Sequence, residues 1–473
     1  TGFTKEGKIT ALEASVTTDA GAYVFLSPYV LLYSAVATPG PYRVDNLKVD
    51  AVAAATNNMY TSAFRGFGAA QACVAYEGQM DEAAKILGID PKELRRRNFL
   101  ATGDTMSTGY PIESATWTEQ CMDQAWSALG DKTPDSGPVK IGRGIATYQQ
   151  SYGRITWFHD TSEAWVGIEM DGTVVVRSGI TDIGAGQTSA LGQIAAELLG
   201  VSLDDVTIYN SDSAVTPLTG TTTATRALLM SGNAVLLAAE TVRQRFVKRA
   251  AEEWQVVPGE IDLGDSRIFV VDQPDKTMDL KSFIAICASE GILRSELAMY
   301  RAPFTDKIDP ETGHGRVFPD FTFGAQAVEV AVDTETGEVE VLKSVGAHDV
   351  GQAINPVAVA GQIEGGSHMG QGYALSEELV YEDGQLVSPS FSEYLMPTAM
   401  DVPRYQSIIL ESRSGMGPFG AKGIGEPCLT PVAPAIANAV ADAIGVRVFE
   451  LPITPEKVVR ALNALQPRPK MSV

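Results

Sequence analysis

The chain has 473 residues, more than one hydrophobic core normally holds, so two or three domains are expected. Hydrophobic residues make up 45% and charged residues 20%, the balance of a soluble globular protein, and no apolar run is long enough to span a membrane. The 36 basic and 58 acidic side chains give a formal charge of −22, which argues against nucleic acid and anionic membranes as partners.

The cysteines are scattered and form no CxxC pair; they are Cys73, Cys121, Cys287 and Cys428. Their spacing therefore predicts neither an iron–sulfur cluster nor a structural zinc site in this chain. A reducing, cytoplasmic setting is expected.

The first 60 residues predict a hairpin around "KEGK" and short strands in "KITALEAS" and "LKVDAVAAAT". Apolar residues at helical spacing in "AAQACVAYEGQMDEAAKILG" then predict a helix capped by Gly88. A second helix is expected after the N-cap Asp90, with Pro91 at its first position.

Residues 103–140 are rich in Gly, Asp, Ser, Thr and Pro around one amphipathic segment, "TEQCMDQAWSALG". This composition is typical of a linker and predicts two domains, 1–136 and 137–473.

The second half contains two predicted hairpins, "EAWVGIEMDGTVVVRSG" and "GAQAVEVAVDTETGEVEVLKSVGAHDVG". Each is followed by a loop rich in glycine and glutamine and then by a helix. The arrangement indicates an internal pseudo-repeat.

The loop Gly184-Ala185-Gly186 should lead into a helix with Gln187 and Thr188 in its first turn. Free backbone N–H groups and the positive end of the helix dipole would suit a phosphate there. The alternative is that the glycines only permit a tight turn.

Two more segments are candidates for binding. "GTTTATR", residues 220–226, offers hydroxyl groups and Arg226 to a phosphate or a polar heterocycle, or is an ordinary polar loop. In "GQIEGGSHMGQG", Gln362, Glu364 and Gln371 lie among glycines, where Glu364 either binds a ligand or caps backbone.

"TSAFRGFGAAQ", residues 61–71, places an arginine between two aromatic rings on a glycine-rich loop. That combination suits a planar ligand; the alternative is two core phenylalanines and a surface ion pair. Glu426, in "GAKGIGEP", is a single carboxylate that follows several glycines and precedes an apolar segment.

Together, in order and spacing, "TSAFRGFGAAQ", "DIGAGQTSALGQIAAE", "GTTTATR", "GQIEGG" followed by "GQG", and "GAKGIGEP" resemble the molybdenum-binding large subunit of the xanthine oxidase family. The opening "TGFTKEGKI", "DTSEAW" and the ending "GVRVFELPITPEKVVRALNAL" are most similar to bacterial aldehyde oxidoreductase-type members. The resemblance implies an α+β fold of mixed sheets and hairpins with packed helices, in two molybdopterin-binding domains of which the first is incomplete. It also implies molybdenum held by the pterin dithiolene, in the cytosine dinucleotide form, without a direct protein ligand.

By this resemblance, Glu426 is the general base of a hydroxylation that uses water-derived oxygen. It would take a proton from a hydroxyl on molybdenum, whose oxygen attacks an electrophilic carbon of an N-heterocycle or aldehyde while hydride passes to Mo=S. Gly423 and Gly425 would let backbone approach the metal, and Pro427 would help to anchor the loop. The alternative function is that the chain is not catalytic and is instead a cofactor-binding or assembly partner of another subunit.

The resemblance also assigns the remaining site positions. Phe64, Arg65 and Gly66 would line the metal and pterin site, and Phe67 would stack near the substrate. The other implied cofactor contacts are Gly184, Ala185, Gly186, Gln187, Thr188, Thr221, Thr225, Arg226, Gln362 and Glu364. Many members have GQG in place of Gly184-Ala185-Gly186, so one hydrogen bond to the cofactor is either lost or supplied by Gln187.

The family's earlier glycine- and phenylalanine-rich loop, with a glutamine near the metal, would precede the first residue. The resemblance thus implies a split or cleaved subunit whose N-terminal fragment completes the site, so this chain alone is expected to be inactive. Iron–sulfur clusters and FAD would reside on further partner chains.

Purine-specific relatives carry an arginine where this chain has Tyr33, which disfavours xanthine as substrate. Arg154 falls on a substrate-channel segment and would favour a carboxylate such as nicotinate, unless it is a surface residue. Tyr152, Trp157 and Phe158 offer the alternative of an apolar funnel for aldehydes.

Overall fold

The computed structural model describes residues 1–153, 160–303, 305–309 and 311–465, which form mixed sheets and packed helices. The helices are α1 (Ser27–Ala37), α2 (Ala69–Leu87), α3 (Pro91–Arg96), α4 (Thr118–Ala128), α5 (Gln187–Leu199), α6 (Asn233–Trp254), α7 (Leu280–Ser289), α8 (Pro356–Leu375), α9 (Val432–Ile444) and α10 (Pro455–Leu465). The strands are β1 (Gly2–Phe3), β2 (Ile9–Gly21), β3 (Leu47–Ala55), β4 (Val139–Tyr152), β5 (Thr161–Ile168), β6 (Val174–Ser178), β7 (Val206–Asn210), β8 (Ile261–Gly264), β9 (Arg267–Val270), β10 (Gln273–Asp279), β11 (Ser295–Arg301), β12 (Asp320–Asp333), β13 (Val339–Asp349), β14 (Tyr381–Glu382), β15 (Gln385–Leu386) and β16 (Arg404–Leu410). Among these helices, none has the length and apolar character that a bilayer crossing requires.

The N-terminal sheet confirms the predicted first hairpin and adds a helix that the sequence pattern did not indicate. β1 and β2 pair antiparallel, whereas β2 and β3 pair parallel. Parallel strands need a crossover, and α1 supplies it. The two predicted helices are confirmed: α2 ends at Gly88 in a left-handed conformation, and the Asp90 side chain accepts the N–H groups of Lys92 and Glu93 at the start of α3.

The largest strands form a mixed sheet in the order β16-β13-β12-β4. β4 and β12 run antiparallel over their whole length, from Val139 opposite Asp333 to Tyr152 opposite Asp320. The predicted hairpin of β12 and β13 is confirmed, and β16 adds in parallel to β13.

Helix α9 packs directly onto β4 because two strand residues are glycines. A Cβ at Gly142 would lie 1.9 Å from the carbonyl oxygen of Ala439, and one at Gly144 would lie 2.1 Å from that of Ala435. The apolar face of α9 is buried, and each aliphatic side chain there stabilises the fold by roughly 2 kcal/mol. The loop that carries Glu426 immediately precedes α9, so the sheet fixes its position.

A second sheet has the order β11-β5-β6-β7 and confirms the predicted hairpin of β5 and β6. Helix α5 is the crossover between the parallel strands β6 and β7, and α5 and α6 bury an aliphatic core against the sheet. Strands β8, β9 and β10 form a smaller sheet beside α7.

The glycine-rich segment after the second hairpin is not a loop, contrary to the sequence prediction. It lies inside α8, where glycines allow close packing. A Cβ at Gly366 would lie 2.5 Å from the sulfur of Cys428, and one at Gly370 would lie 2.4 Å from the Cβ of Val432. These glycines therefore bring α8 against α9 and the loop before it.

Candidate functional site

A cavity of about 530 Å³ lies where distant segments of the chain meet. Its walls are the start of α5, the segment before α6, the start of α8 and the loop before α9. The predicted site residues that line it are Arg65, Gly184, Ala185, Gly186, Gln187, Thr225, Arg226, Gln362, Gly423, Gly425 and Glu426. Folding thus gathers most of the predicted motifs around one space.

The N-termini of α5 and α8 lie side by side at this cavity. Gly184 and Gly186 have φ of 96° and 78°, which glycine adopts without strain, and α5 begins at Gln187 as predicted. A Cβ at Gly186 would come within 3.2 Å of the Cβ of Ala358, in the first turn of α8. Two helix dipoles therefore present their positive ends to the cavity, which suits an anionic group such as phosphate.

Asp182 and Asn210 hold the turn into α5. The Asp182 carboxylate accepts the N–H groups of Gly184 at 2.9 Å and Thr188 at 3.0 Å. The Thr188 hydroxyl accepts a hydrogen bond from Asn210 at 2.9 Å. Thr188 therefore makes contacts within the protein and is not among the residues lining the cavity; its predicted cofactor contact stays a prediction.

The side chain of Gln187 lines the cavity, and its Oε1 is buried without a hydrogen-bond partner in the structure. A buried acceptor that makes no hydrogen bond costs about 1–3 kcal/mol. A ligand with an N–H or O–H donor at this point would remove that cost.

Glu426 lies on the cavity wall beside Thr225. Its backbone N–H donates to the Thr225 hydroxyl at 3.0 Å, and that hydroxyl donates to Glu426 Oε2 at 3.3 Å. Burial raises the pKa of the Glu426 carboxyl, against smaller opposing effects of the Thr225 hydrogen bond and the Arg65 charge. A carboxylate in such surroundings is a stronger proton acceptor than one in water.

Arg65 connects this loop to α8. Its Nε–H donates to the carbonyl oxygen of Gly425 at 2.6 Å, and its Nη2 donates to Gln362 Oε1 at 3.0 Å and to Cys428 Sγ at 3.1 Å. The guanidinium therefore fixes backbone and places a positive charge near Glu426.

Arg226 has a different environment from the one expected of a phosphate ligand. Its guanidinium is fully buried and makes a two-point ion pair with Asp160, at 2.7 and 2.8 Å. It also donates to the carbonyl oxygens of Thr219 and Thr221. Arg226 thus fixes its own loop, and Thr221 is exposed outside the cavity lining. Cofactor contact by either residue stays a prediction.

The aromatic residues of the first motif do not line the cavity and instead pack against other aromatic rings. Phe64 contacts Tyr373 of α8, with ring centroids 5.4 Å apart. Phe67 adopts a φ of 52° and lies against Tyr33, with centroids 6.3 Å apart. The Tyr33 hydroxyl donates to the carbonyl oxygen of Ser151 at 2.9 Å. Burial, together with the charge of Glu426, raises the pKa of Tyr33.

Other predicted positions lie elsewhere. Gly66 is buried and Glu364 is exposed on α8; neither lines the cavity, so their roles stay predictions. Arg154 and Phe158 fall outside the described residues. Within the ranges that are described, no group of His, Cys, Asp and Glu side chains is arranged to hold a metal ion.

Sequence reasoning missed the segment between β13 and α8. Gln352 and Asn355 line the cavity, and Asn355 also caps α8 by accepting the N–H of Ala358 at 3.0 Å. The pseudo-repeat was the available signal, because the corresponding position after the first hairpin had already been identified as a binding loop.

The amino-acid sequence matches two family models, each described as a molybdopterin cofactor-binding domain, over residues 1–99 and 113–403. It is 30% identical over 475 residues to the xanthine dehydrogenase molybdenum-binding subunit of Escherichia coli O157:H7, covering 97% of this chain and 61% of that protein. It is 31% identical over 469 residues to the aldehyde oxidoreductase of Megalodesulfovibrio gigas, covering 97% of this chain and 48% of that protein. The crystal structure of quinoline 2-oxidoreductase from Pseudomonas putida 86 has a TM-score of 0.85 at 27% identity, covering 97% of this chain and 61% of that one.

The two family models define a molybdopterin-binding protein. The chain belongs to the molybdenum-binding subunits of the xanthine oxidase family, which confirms the resemblance and the α+β fold class. It spans 61% of the Escherichia relative and 48% of the Megalodesulfovibrio relative. The predicted boundary between residues 136 and 137 stays a prediction.

The residues present fit this cofactor. The N-terminus of α8 and the N–H groups at the start of α5 that the Asp182 carboxylate does not accept suit its phosphate, and the unpaired Oε1 of Gln187 suits a donor on the pterin or nucleotide. That Gln187 supplies the hydrogen bond that Ala185 lacks stays a prediction.

Proposed function

We propose that this chain provides the catalytic wall of a molybdenum hydroxylase, with Glu426 as general base. In the proposed reaction a substrate C–H and one water yield C–OH, two electrons and two protons. The observation that carries the proposal is the carboxylate of Glu426 on the wall of the cavity of about 530 Å³, held at 3.3 Å by the Thr225 hydroxyl.

The surroundings of Glu426 suit proton removal. A base for this step must be ionised near neutral pH yet basic enough to accept a proton, and burial raises the pKa of Glu426 in that direction. Arg65 and Thr225 limit the rise by favouring the ionised form. Glu426 therefore takes the proton of the attacking, water-derived oxygen, while the surrounding backbone holds the carboxylate in place.

Bound molybdopterin would supply the two-electron redox chemistry. Gly184, Ala185, Gly186 and Gln187 would hold its phosphate-bearing part, which we propose is the cytosine dinucleotide form. The electrons would pass to iron–sulfur and FAD centres on partner chains, and an N-terminal molybdopterin-binding subunit or fragment would complete the site. We place the enzyme in the cytoplasm, since all four cysteines are free thiols.

The substrate is proposed to be an N-heterocycle or an aldehyde. The relatives described above are named for xanthine, aldehyde and quinoline, which spans both classes. Tyr33 and Phe67 would present aromatic surface near Glu426, and the Tyr33 hydroxyl is already bound to Ser151. A tyrosine in that position offers no fixed positive charge to a purine, so xanthine is the less favoured substrate.

The test is Glu426→Gln in the assembled enzyme, with Glu456→Gln on the exposed face of α10 as the matched control. We expect the first variant to retain molybdenum and pterin but to lose turnover by several orders of magnitude. The Glu456→Gln control should retain both the cofactor and the turnover. Substrate-dependent dye reduction with nicotinate, purines and aromatic aldehydes gives the activity and the substrate class.

Retained turnover in Glu426→Gln would remove the base assignment. Molybdenum and pterin without turnover on any of these substrates in the unmodified complex would favour a non-catalytic cofactor-binding role.

A further inference from the structure

The hydroxyl of Thr225 contacts Glu426 at two points. It accepts the Glu426 backbone N–H at 3.0 Å and donates to Oε2 of the same residue at 3.3 Å. A hydroxyl has one proton to donate. The Thr225 hydroxyl donates it to the Glu426 carboxylate and therefore cannot also donate it to a phosphate. The contact fixes both the backbone and the side-chain end of Glu426.

Thr225 is held in a costly conformation. Its φ is 53°, and Ala224 before it has a φ of 51°. A β-branched residue in this region is a true outlier, and such strain costs on the order of 1–3 kcal/mol. The backbone conformation is therefore maintained by the surrounding structure, and it aims the hydroxyl at Glu426.

Two neighbours hold Thr225 in place. Gly423 leaves room for its side chain, since a Cβ at Gly423 would lie 2.3 Å from Thr225 Cγ2 and 2.7 Å from the Thr225 carbonyl oxygen. Arg226, next in the chain, is anchored by its buried ion pair with Asp160. Gly423 and Arg226 together thus fix the position of the Thr225 hydroxyl.

Arg65, Tyr33 and Cys428 are charged or titratable groups that interact with Glu426. The guanidinium of Arg65 lowers the pKa of Glu426, and the charge of Glu426 in turn raises the pKa values of the buried Tyr33 phenol and the buried Cys428 thiol. Among these neighbours, Thr225 supplies the hydrogen bond to the carboxylate itself.

We propose that Thr225 is a positioning residue that orients the carboxylate of Glu426, rather than a ligand of the cofactor. This inference rests on the proposed function. Because a hydrogen bond from a hydroxyl stabilises a carboxylate, losing it makes Glu426 harder to ionise. The acid limb of the kcat profile, where the base becomes protonated, then moves to higher pH.

The test compares three variants of the assembled holoenzyme. Thr225→Ser keeps the hydroxyl, whereas Thr225→Ala and Thr225→Gly remove it; glycine also adopts the positive φ without strain, which guards against misfolding. We expect the acid limb of kcat to move up by about one pH unit in the last two variants and to stay in place in Thr225→Ser. KM and molybdenum content should not change.

A second readout does not depend on turnover. Infrared difference spectra across pH in the resting enzyme identify the Glu426 carboxyl band as the one absent from Glu426→Gln. That band should titrate about one pH unit higher in Thr225→Gly than in Thr225→Ser.

Each outcome is decisive. If Glu426→Gln stays active, the proposed function fails and this inference with it. If Glu426→Gln is inactive but the limb and the band in Thr225→Gly match those in Thr225→Ser, only the role of Thr225 is overturned. Loss of molybdenum in Thr225→Gly with retention in Thr225→Ser would make the hydroxyl a cofactor ligand, which also overturns the inference.

Discussion

Arg65 donates its Nε–H to the carbonyl oxygen of Gly425 at 2.6 Å, although the two residues are 360 positions apart. This hydrogen bond joins the aromatic motif near the N-terminus to the residue directly before Glu426. The same guanidinium reaches Gln362 on α8. One side chain thus links three of the motifs that sequence analysis identified separately.

Arg65→Lys should lower turnover by about tenfold to a hundredfold. A planar guanidinium donates hydrogen bonds from several nitrogens at once, and a lysine ammonium cannot reproduce that geometry. At least one charge-assisted hydrogen bond is therefore lost, worth about 1.5–3 kcal/mol. Steady-state turnover per bound molybdenum measures the effect. Arg43→Lys is the control, because Arg43 is 57% exposed and pairs with Asp104 at the surface. Equal activities in the two variants would contradict the linking role.

Gly423→Ala should reduce turnover by about a hundredfold. The added Cβ would collide with Thr225, whose side chain cannot move away because its backbone is held at a φ of 53°. The loop must then shift by about 1 Å, and a displacement of that size costs a positioned base on the order of a hundredfold in rate. Gly259→Ala, where a Cβ meets nothing within 4 Å, is the matched control. Normal turnover in Gly423→Ala would show that the loop tolerates displacement.

The sequence pattern alone identified the residues whose role depends on the conformation of the backbone around them. Gly184, Gly186 and Gly88 have positive φ, and glycine in a turn or at a helix end is the direct sequence signal of that conformation. Glu426 was found because a lone carboxylate among glycines is unusual and because the motif resembled a known family. The strand and hairpin positions followed from alternation and turn residues.

The features of the fold and the site that the sequence did not predict depend on contacts between residues that are far apart in the chain. The partner of Arg226 is Asp160, 66 positions earlier, and no local pattern distinguishes a buried ion pair from a phosphate ligand. Glycines such as Gly366 were interpreted as loop residues, whereas they permit close helix packing, and the atom they approach belongs to another segment. Helix α1 likewise follows from the parallel pairing of β2 and β3, which only the folded chain reveals.

Gly144→Ala should destabilise the fold more than a typical core substitution. Its Cβ would lie 2.1 Å from the carbonyl oxygen of Ala435, an atom of the α9 backbone that cannot move independently of the helix. Overpacking of this kind costs about 1–3 kcal/mol or more. Thermal unfolding should show a lower midpoint than Gly264→Ala, where the nearest atom is 3.6 Å away. Matching midpoints would mean that α9 is not packed this closely on β4.

Glu329 should make stability depend on acid pH. It is fully buried on β12, directly between its cross-strand neighbours Arg143 on β4 and Lys343 on β13. Burial alone would raise the pKa of Glu329, but hydrogen bonds from Thr133, Arg143 and Lys343 lower it from 4.5 to about 2. The stabilisation is therefore complete above the unfolded-state value of 4.5 and is lost as pH falls from there toward 2.

Glu329→Gln should lower the free energy of unfolding by up to about 3 kcal/mol near neutral pH, since the folded and unfolded pKa values differ by about 2.5 units. The loss should shrink as the pH falls from 4.5 toward about 3, because the Glu329 carboxyl of the unfolded wild-type chain then binds a proton, whereas that of the folded chain stays mostly ionised until the pH nears 2. Urea unfolding at several pH values measures this convergence. In Glu456→Gln, whose side chain is exposed on α10, unfolding should follow the wild type throughout. A difference between wild type and Glu329→Gln that stays constant with pH would point to lost packing instead of lost charge, because only the ionic contribution titrates in this range.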